Sequence, residues 1–135
     1  MFIPVAALDL GFGHTKMAKR FSYNPHLTDF SSFPSLAPRS IKSDAKIHDD
    51  LIEQIYTVHV NGVDFSVGPH VKLVAGGAAG AGRALNEDYP TTVNYKALFL
   101  GALAHLEATQ IEVLVMGLPV NTMKKHKNFV LNEFR

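Results

Sequence analysis

The sequence has no cysteine among its 135 residues. That excludes disulfides, thiolate metal sites and a cysteine nucleophile together, and fits a reducing, cytoplasmic setting. An excess of either charge is missing too: 13 Lys and Arg stand against 12 Asp and Glu, a net charge of +1. Counterion release needs a patch of several excess cations, so direct nucleic-acid binding is not expected. Long apolar runs are also absent. The longest, Ala97 to Ala104, is less than half of the roughly 20 residues that a membrane span needs, and MFIPVAALDL carries no basic residue ahead of its apolar ones. Neither a membrane span nor a secretory signal is therefore expected. What is present is core-forming material: Leu, Ile, Val and Phe make up 41 of the 135 residues, enough for one domain with a single core. Any anion bound by so neutral a chain has to be held locally, by a few placed donors.

Along the chain, residues 2–8 form an apolar run of strand length, broken by Asp9-Leu10-Gly11-Phe12-Gly13, after which His14 to Phe21 alternates loosely. That pattern predicts a hairpin with a glycine-rich turn. A third strand is expected at 28–33, running into Pro34-Ser35-Leu36-Ala37-Pro38. Asn61-Gly62, flanked by Ile55–Val60 and Val63–Val67, predicts a two-residue type I′ hairpin, because that turn needs two positive φ angles. Thr91 or Thr92 can cap a helix reaching about Glu107, with Val93, Ala97, Leu100 and Ala104 as one stripe that Leu98, Phe99, Leu103 and Leu106 widen to most of the circumference, so burial on several sides is expected. Ile111–Met116 reads as a central strand, and Asn121 or Thr122 opens a last helix with Met123, Val130 and Phe134 on one face. Residues 39–90 read as an insertion on the sheet's edge.

The octet Asp9-Leu10-Gly11-Phe12-Gly13-His14-Thr15-Lys16 lies across the first turn. Two glycines let a backbone approach a ligand closely and can align successive N–H donors into an anion nest. Lys16 adds a positive charge beside that nest. Asp9 can face a hydrated Mg²⁺ accompanying a polyphosphate, since Mg²⁺ keeps its waters and touches few carboxylates. The competing interpretation is structural: a tight hairpin with Asp9 as a turn former and Lys16 solvated.

Other candidates carry less. Gly77–Gly82 has the G-x-x-x-x-G outline of a P-loop, but Arg83-Ala84 stand where Lys-Ser/Thr belong. The seven histidines show no metal-binding spacing, and no serine sits in a G-x-S-x-G elbow. His59 and His105 read as structural residues. Lys124-Lys125-His126-Lys127 reads as a solvated face, with an acidic neighbouring subunit as the alternative partner for its charges.

An aspartate one strand from the N-terminus, followed by G-x-G-x-T-K on a second strand, resembles the first phosphate motif of the actin and sugar-kinase superfamily. Phe33–Pro38, the Val60–Val67 hairpin, the helix after Asn86–Pro90, and Ile111–Val120 followed by a basic helix resemble, in order and spacing, bacterial actin-like plasmid-segregation ATPases of the ParM/StbA type. The Phe-Pro-Ser-Leu-Ala-Pro element is similar to one in PRTRC system protein D. The resemblance implies an α/β fold: a ribonuclease-H-like, actin-type ATPase half-domain across 1–135, whose mixed sheet starts with a β-hairpin. Residues 1–38 and 91–135 would form the core and 39–90 an inserted small α+β outer subdomain.

By the same resemblance the ligands are ATP and Mg²⁺. Asp9 would face the metal through water, Gly11, Phe12, Gly13 and His14 would form the backbone cradle, and Thr15 and Lys16 would stand on the β-phosphate side. Members of that family are more than twice this long, and their C-terminal half, with its catalytic residues, is expected beyond Arg135. ATP hydrolysis is therefore expected of the full-length protein and not of this chain alone. The partners implied are further copies, in filaments or paired through an open sheet edge, and a DNA-bound adaptor protein. Two alternatives remain: a small-molecule kinase or chaperone-like ATPase of the same superfamily, and a non-catalytic half-actin interaction module.

Overall fold

The computed structural model describes residues 1–21, 28–40, 55–74 and 88–134. The apolar run at the start forms β1 (Phe2–Leu10), which turns through Gly11–Gly13 into β2 (His14–Arg20) and is followed by β3 (Thr28–Pro34). A separate hairpin joins β4 (Tyr56–Val60) to β5 (Val63–Val67). Helix α1 (Val93–His105), strand β6 (Gln110–Gly117) and helix α2 (Val120–Glu133) complete the described chain. The main sheet has the order β3-β2-β1-β6, with β1 antiparallel to β2 and parallel to β6. This is the mixed sheet opening on a hairpin that the sequence predicts, with α1 in the crossover before the parallel strand. The P-loop outline at Gly77–Gly82 lies outside the described residues.

Alternation decides which side of the sheet is covered. Ala6, Leu8 and Leu10 of β1, Met17 of β2 and Phe33 of β3 are buried on one face, and α1 packs there. On the other face Phe30, Val113 and Val115 stand exposed. The β4–β5 hairpin pairs with no strand of the main sheet; it lies against α1, and Val58, Val60, Phe65 and Val67 join the same core. Its turn is of the expected kind, with φ of 50° at Asn61 and 80° at Gly62.

Thr92, not Thr91, caps α1: its Oγ1 accepts from the Tyr95 amide at 3.2 Å. At the other end Ala108 N–H donates to Leu103 O and Glu107 N–H to Ala104 O, a Schellman closure with Glu107 at φ 55°. Lys19 Nζ reaches the Leu106 carbonyl at 3.1 Å, where a cation complements the helix end. The buried residues of α1 are Tyr95, Ala97, Leu98, Phe99, Gly101 and Ala102, whereas Val93 is exposed. Burial on several sides, which the wide apolar surface predicts, arises because the hairpin as well as the sheet covers α1; only the ends of the expected stripe, Val93 and Ala104, are exposed. Gly101 is what lets the hairpin approach: a Cβ there would overlap the Val67 γ-carbon.

Two further expectations change. β6 reads as a central strand, but among the described residues it pairs with β1 alone, and an apolar groove of about 720 Å³ opens beside it between α1 and α2. α2 starts at Val120, and its buried row is Thr122, His126 and Val130 at four-residue spacing, with Met123 partly exposed. The basic cluster is not wholly solvated: Lys125 Nζ pairs with Asp88 at 2.9 Å, within the chain itself.

At the C-terminal end of α1, the Tyr56 hydroxyl lies 2.9 Å from His105 Nδ1. Burial raises the Tyr56 pKa, with the Glu107 carboxylate adding to the shift, so the phenol keeps its proton in this contact. Burial, and then the Lys19 ammonium, hold the His105 pKa below the usual imidazole value, with Glu107 opposing. A depressed folded value means that the unfolded chain binds more protons once the pH falls below about 6.5. Stability from this site is complete above that pH and lost as the pH falls through the folded value. Melting temperature should accordingly decline between pH 7 and 5, and His105→Gln should flatten that decline; an unchanged slope would contradict the assignment. Gly101→Ala should gain about 1 kcal/mol of helix propensity and lose about 1–3 kcal/mol to overpacking. Chemical denaturation should therefore show net destabilisation, relieved in the double variant with Val67→Ala; a stabilised single variant would refute the close approach.

Candidate functional site

β1 and β6 are parallel and end side by side. Asp9 stands opposite Lys16 on β2 and beside Gly117 on β6. Ligands of α/β sheets collect at the carboxyl ends of such strands. Leu8 and Leu10 are each 2 % exposed, which drives the intervening Asp9 to the opposite side, where it and Lys16 are exposed. Gly117 leaves room there: a Cβ on it would lie 3.8 Å from the Asp9 carboxyl group. Among the described residues neither Asp9 nor Lys16 forms an ion pair.

The turn between β1 and β2 closes through Gly11 N–H donating to His14 O at 3.1 Å. Gly11 has to be glycine, because a Cβ would sit 2.9 Å from that carbonyl. Its amide is thereby engaged, which removes it from the predicted cradle. The amides of Phe12 and Gly13 donate to no other backbone group among the described residues. A Cβ at Gly13 would meet nothing within 4 Å, so the loop is open on that side.

Thr15 departs from its expected role. Alternation turns it away from Lys16 into the core, where it is fully buried and its Oγ1 lies 2.9 Å from Ser35 Oγ. That bond ties β2 to the Phe33–Pro38 element. Its side chain faces away from the exposed carboxylate and ammonium. Asp9, Phe12, Gly13, His14 and Lys16 do gather at one end of the sheet, with Gly11 closing the turn.

Three residues there escape sequence reasoning. Gly117 is a small residue ending an apolar strand, a signal too common to stand out. Tyr89 lies 78 positions from Gly11, yet its hydroxyl donates to the Gly11 carbonyl at 3.3 Å and its ring lies 5.1 Å from that of Phe12. Tyr95 is 1 % exposed, its ring packs edge-on against Tyr89 at 5.0 Å, and its hydroxyl has no hydrogen-bond partner among the described residues. Burial pushes the Tyr95 pKa up, with the charges of Tyr89 and Asp9 adding to the shift. No local pattern marks either tyrosine.

Among the described residues the arrangement offers two amides without a partner, an exposed ammonium and an exposed carboxylate. That donor set suits a polyphosphate accompanied by a hydrated divalent cation: amides and Lys16 for the anion, Asp9 for the waters of the metal. Among the described residues no cluster of His, Asp and Glu is built to hold a bare metal ion. No described helix is long and apolar enough to cross a membrane.

The sequence matches the family model of the actin like proteins N terminal domain over residues 7–133. No curated protein matches it. Among solved structures it is similar to the AlfA filament bound to AMPPNP, with a TM-score of 0.64 at 17% identity over 96% of this chain and 45% of that one. It is similar also to the filament of AlfA from B. subtilis plasmid pLS32, with a TM-score of 0.62 at 19% identity over 94% of this chain and 45% of that one. This chain thus spans just under half the length of those AlfA chains. At such identities the likeness is one of fold, and it does not single out the ParM/StbA type that the motifs resemble. The fold and a family model that covers almost the whole sequence together establish that this chain belongs to the actin-like proteins and carries their N-terminal domain.

Proposed function

We propose that this chain supplies one wall of a Mg·ATP site in a filament-forming actin-like ATPase that acts in plasmid segregation. The observation that carries the reading is the end of β1: Asp9 between Lys16 and Gly117, beneath a turn whose Phe12 and Gly13 amides have no partner among the described residues. In this reading those two amides, with His14 beside them, bind polyphosphate oxygens. Lys16 adds a fixed positive charge from β2. Asp9 orients the water shell of Mg²⁺, and Gly117 keeps space for it. The metal, when bound, neutralises charge on the phosphate oxygens.

Hydrolysis in this superfamily depends on groups from both sides of a cleft, so we assign turnover to the two-walled site and not to this wall alone. AlfA, which shares the fold, is a filament with AMPPNP bound in one of its structures. That supports ATP as the nucleotide and head-to-tail self-association as its consequence, a heterologous contact that yields open filaments. A DNA-bound adaptor would connect such a filament to its plasmid, since the near-neutral chain offers no cationic patch of its own. A second reading, a non-catalytic interaction module, is favoured by the edge of β6, which is unpaired among the described residues, and the apolar groove beside it.

Titration calorimetry of Mg·ATP against the protein at its full natural length separates the two. A charge-assisted contact is worth about 1.5–3 kcal/mol, so Asp9→Ala and Lys16→Ala should each weaken binding roughly 10- to 100-fold. Affinity unchanged in both variants would reject the nucleotide reading and favour the interaction module.

A further inference from the structure

Tyr89 sits in the short 3₁₀ turn Tyr89–Thr91, which leads directly into the cap of α1. It is 3 % exposed. Its hydroxyl donates to the Gly11 carbonyl at 3.3 Å, while the Gly11 amide is bound by the His14 carbonyl at 3.1 Å. Both polar groups of the Gly11 backbone are therefore held. The Tyr89 ring then packs on Phe12, the next residue, at 5.1 Å. One side chain thus grips two successive residues of a glycine-rich turn, at the start of the Phe12–Gly13 pair whose amides have no partner among the described residues.

Tyr89 is itself fixed from both sides. Tyr95 packs edge-on against it at 5.0 Å and is in turn 5.6 Å from Phe134, at the end of α2. The residue before it, Asp88, binds Lys125 Nζ at 2.9 Å and lies 3.2 Å from His126 Nε2, both on α2. The support for the turn is therefore anchored in two helices. A glycine turn left unsupported would populate many backbone states, and a ligand would have to select one of them. Holding the turn in its binding shape beforehand removes that cost from association.

We propose that Tyr89 is a positioning residue for the polyphosphate: through Gly11 and Phe12 it holds the turn in the shape that presents the Phe12 and Gly13 amides, and it ties that shape to the placement of α2. This inference rests on the nucleotide reading above. Tyr89 touches no ligand in this scheme and acts through the turn.

The test uses the protein at its full natural length. Tyr89→Phe keeps the ring and removes the hydroxyl, and Tyr89→Leu removes the ring. Tyr56→Phe, which loses a tyrosine hydrogen bond of 2.9 Å at the far end of α1, is the matched control. Tyr89→Phe should weaken Mg·ATP binding about three- to tenfold, the equivalent of one neutral hydrogen bond, and Tyr89→Leu should weaken it further. In the nucleotide-free protein, the backbone order parameters of Phe12 and Gly13 should fall in both Tyr89 variants and hold in Tyr56→Phe. The melting temperatures of Tyr89→Phe and Tyr56→Phe should drop alike. A loss confined to Tyr89→Leu, with lowered order at Phe12, would support the proposal with the ring as the gripping group. Wild-type affinity and order in both Tyr89 variants, while Asp9→Ala and Lys16→Ala lose binding, would overturn the role of Tyr89 and leave the nucleotide reading standing. Wild-type affinity in all four would overturn both. If Tyr89→Leu fails to fold, Tyr89→Phe decides alone.

Discussion

The register of β1 is the constraint on which the rest of the molecule depends. This strand is bonded antiparallel to β2 and parallel to β6, so its two neighbours fix Asp9 between Lys16 and Gly117. Register is held by burial. Leu8 and Leu10 face a packed core on either side of Asp9 in the sequence. A slip by one residue would send both leucines to the exposed face and a carboxylate into the core, where an unpaired charge is strongly disfavoured. Hydrophobic packing on one side of the sheet thereby places the charged groups on the other.

Packing on the core side also reaches the turn. Five aromatic rings, Phe12, Tyr89, Tyr95, Phe134 and Phe99, follow one another from the glycine turn to the junction of α1 and α2. Gly101 brings the β4–β5 hairpin onto the outer side of α1. Thr92 sets where α1 begins, three residues after Tyr89. The turn that presents the amides is thus continuous with the same core that fixes the register of β1, and one set of apolar contacts determines both.

The parts that sequence alone makes legible are those decided by local chemistry. Asn61-Gly62 has to bend as it does because both φ angles are positive, and Thr92 caps because its oxygen reaches the third amide of the helix. The first octet was legible as a turn flanked by an aspartate and a lysine. The direction of the Thr15 side chain was readable: in a strand, neighbours 15 and 16 point to opposite faces, so Thr15 packs in the core while Lys16 is exposed. Tyr89, Tyr95 and the Asp88–Lys125 pair were not legible, since each depends on residues far apart in the chain. On α1 the wide apolar surface showed that several elements cover the helix, but not which ones, since the β4–β5 hairpin and the sheet are distant in the chain. The actin-like family was legible from the order of weak motifs, whereas its ParM/StbA subdivision was not.

The central claim is that the turn after β1 grips a metal-bound polyphosphate with main-chain amides. It is tested most directly by following backbone amide resonances of the full-length protein as Mg·ATP is added. The largest shifts should fall at Phe12 and Gly13, with smaller ones at Asp9 and Gly117 and none at Phe30 on β3. Saturable binding that leaves Phe12 and Gly13 unmoved, with its shifts gathered along the groove between α1 and α2, would contradict it.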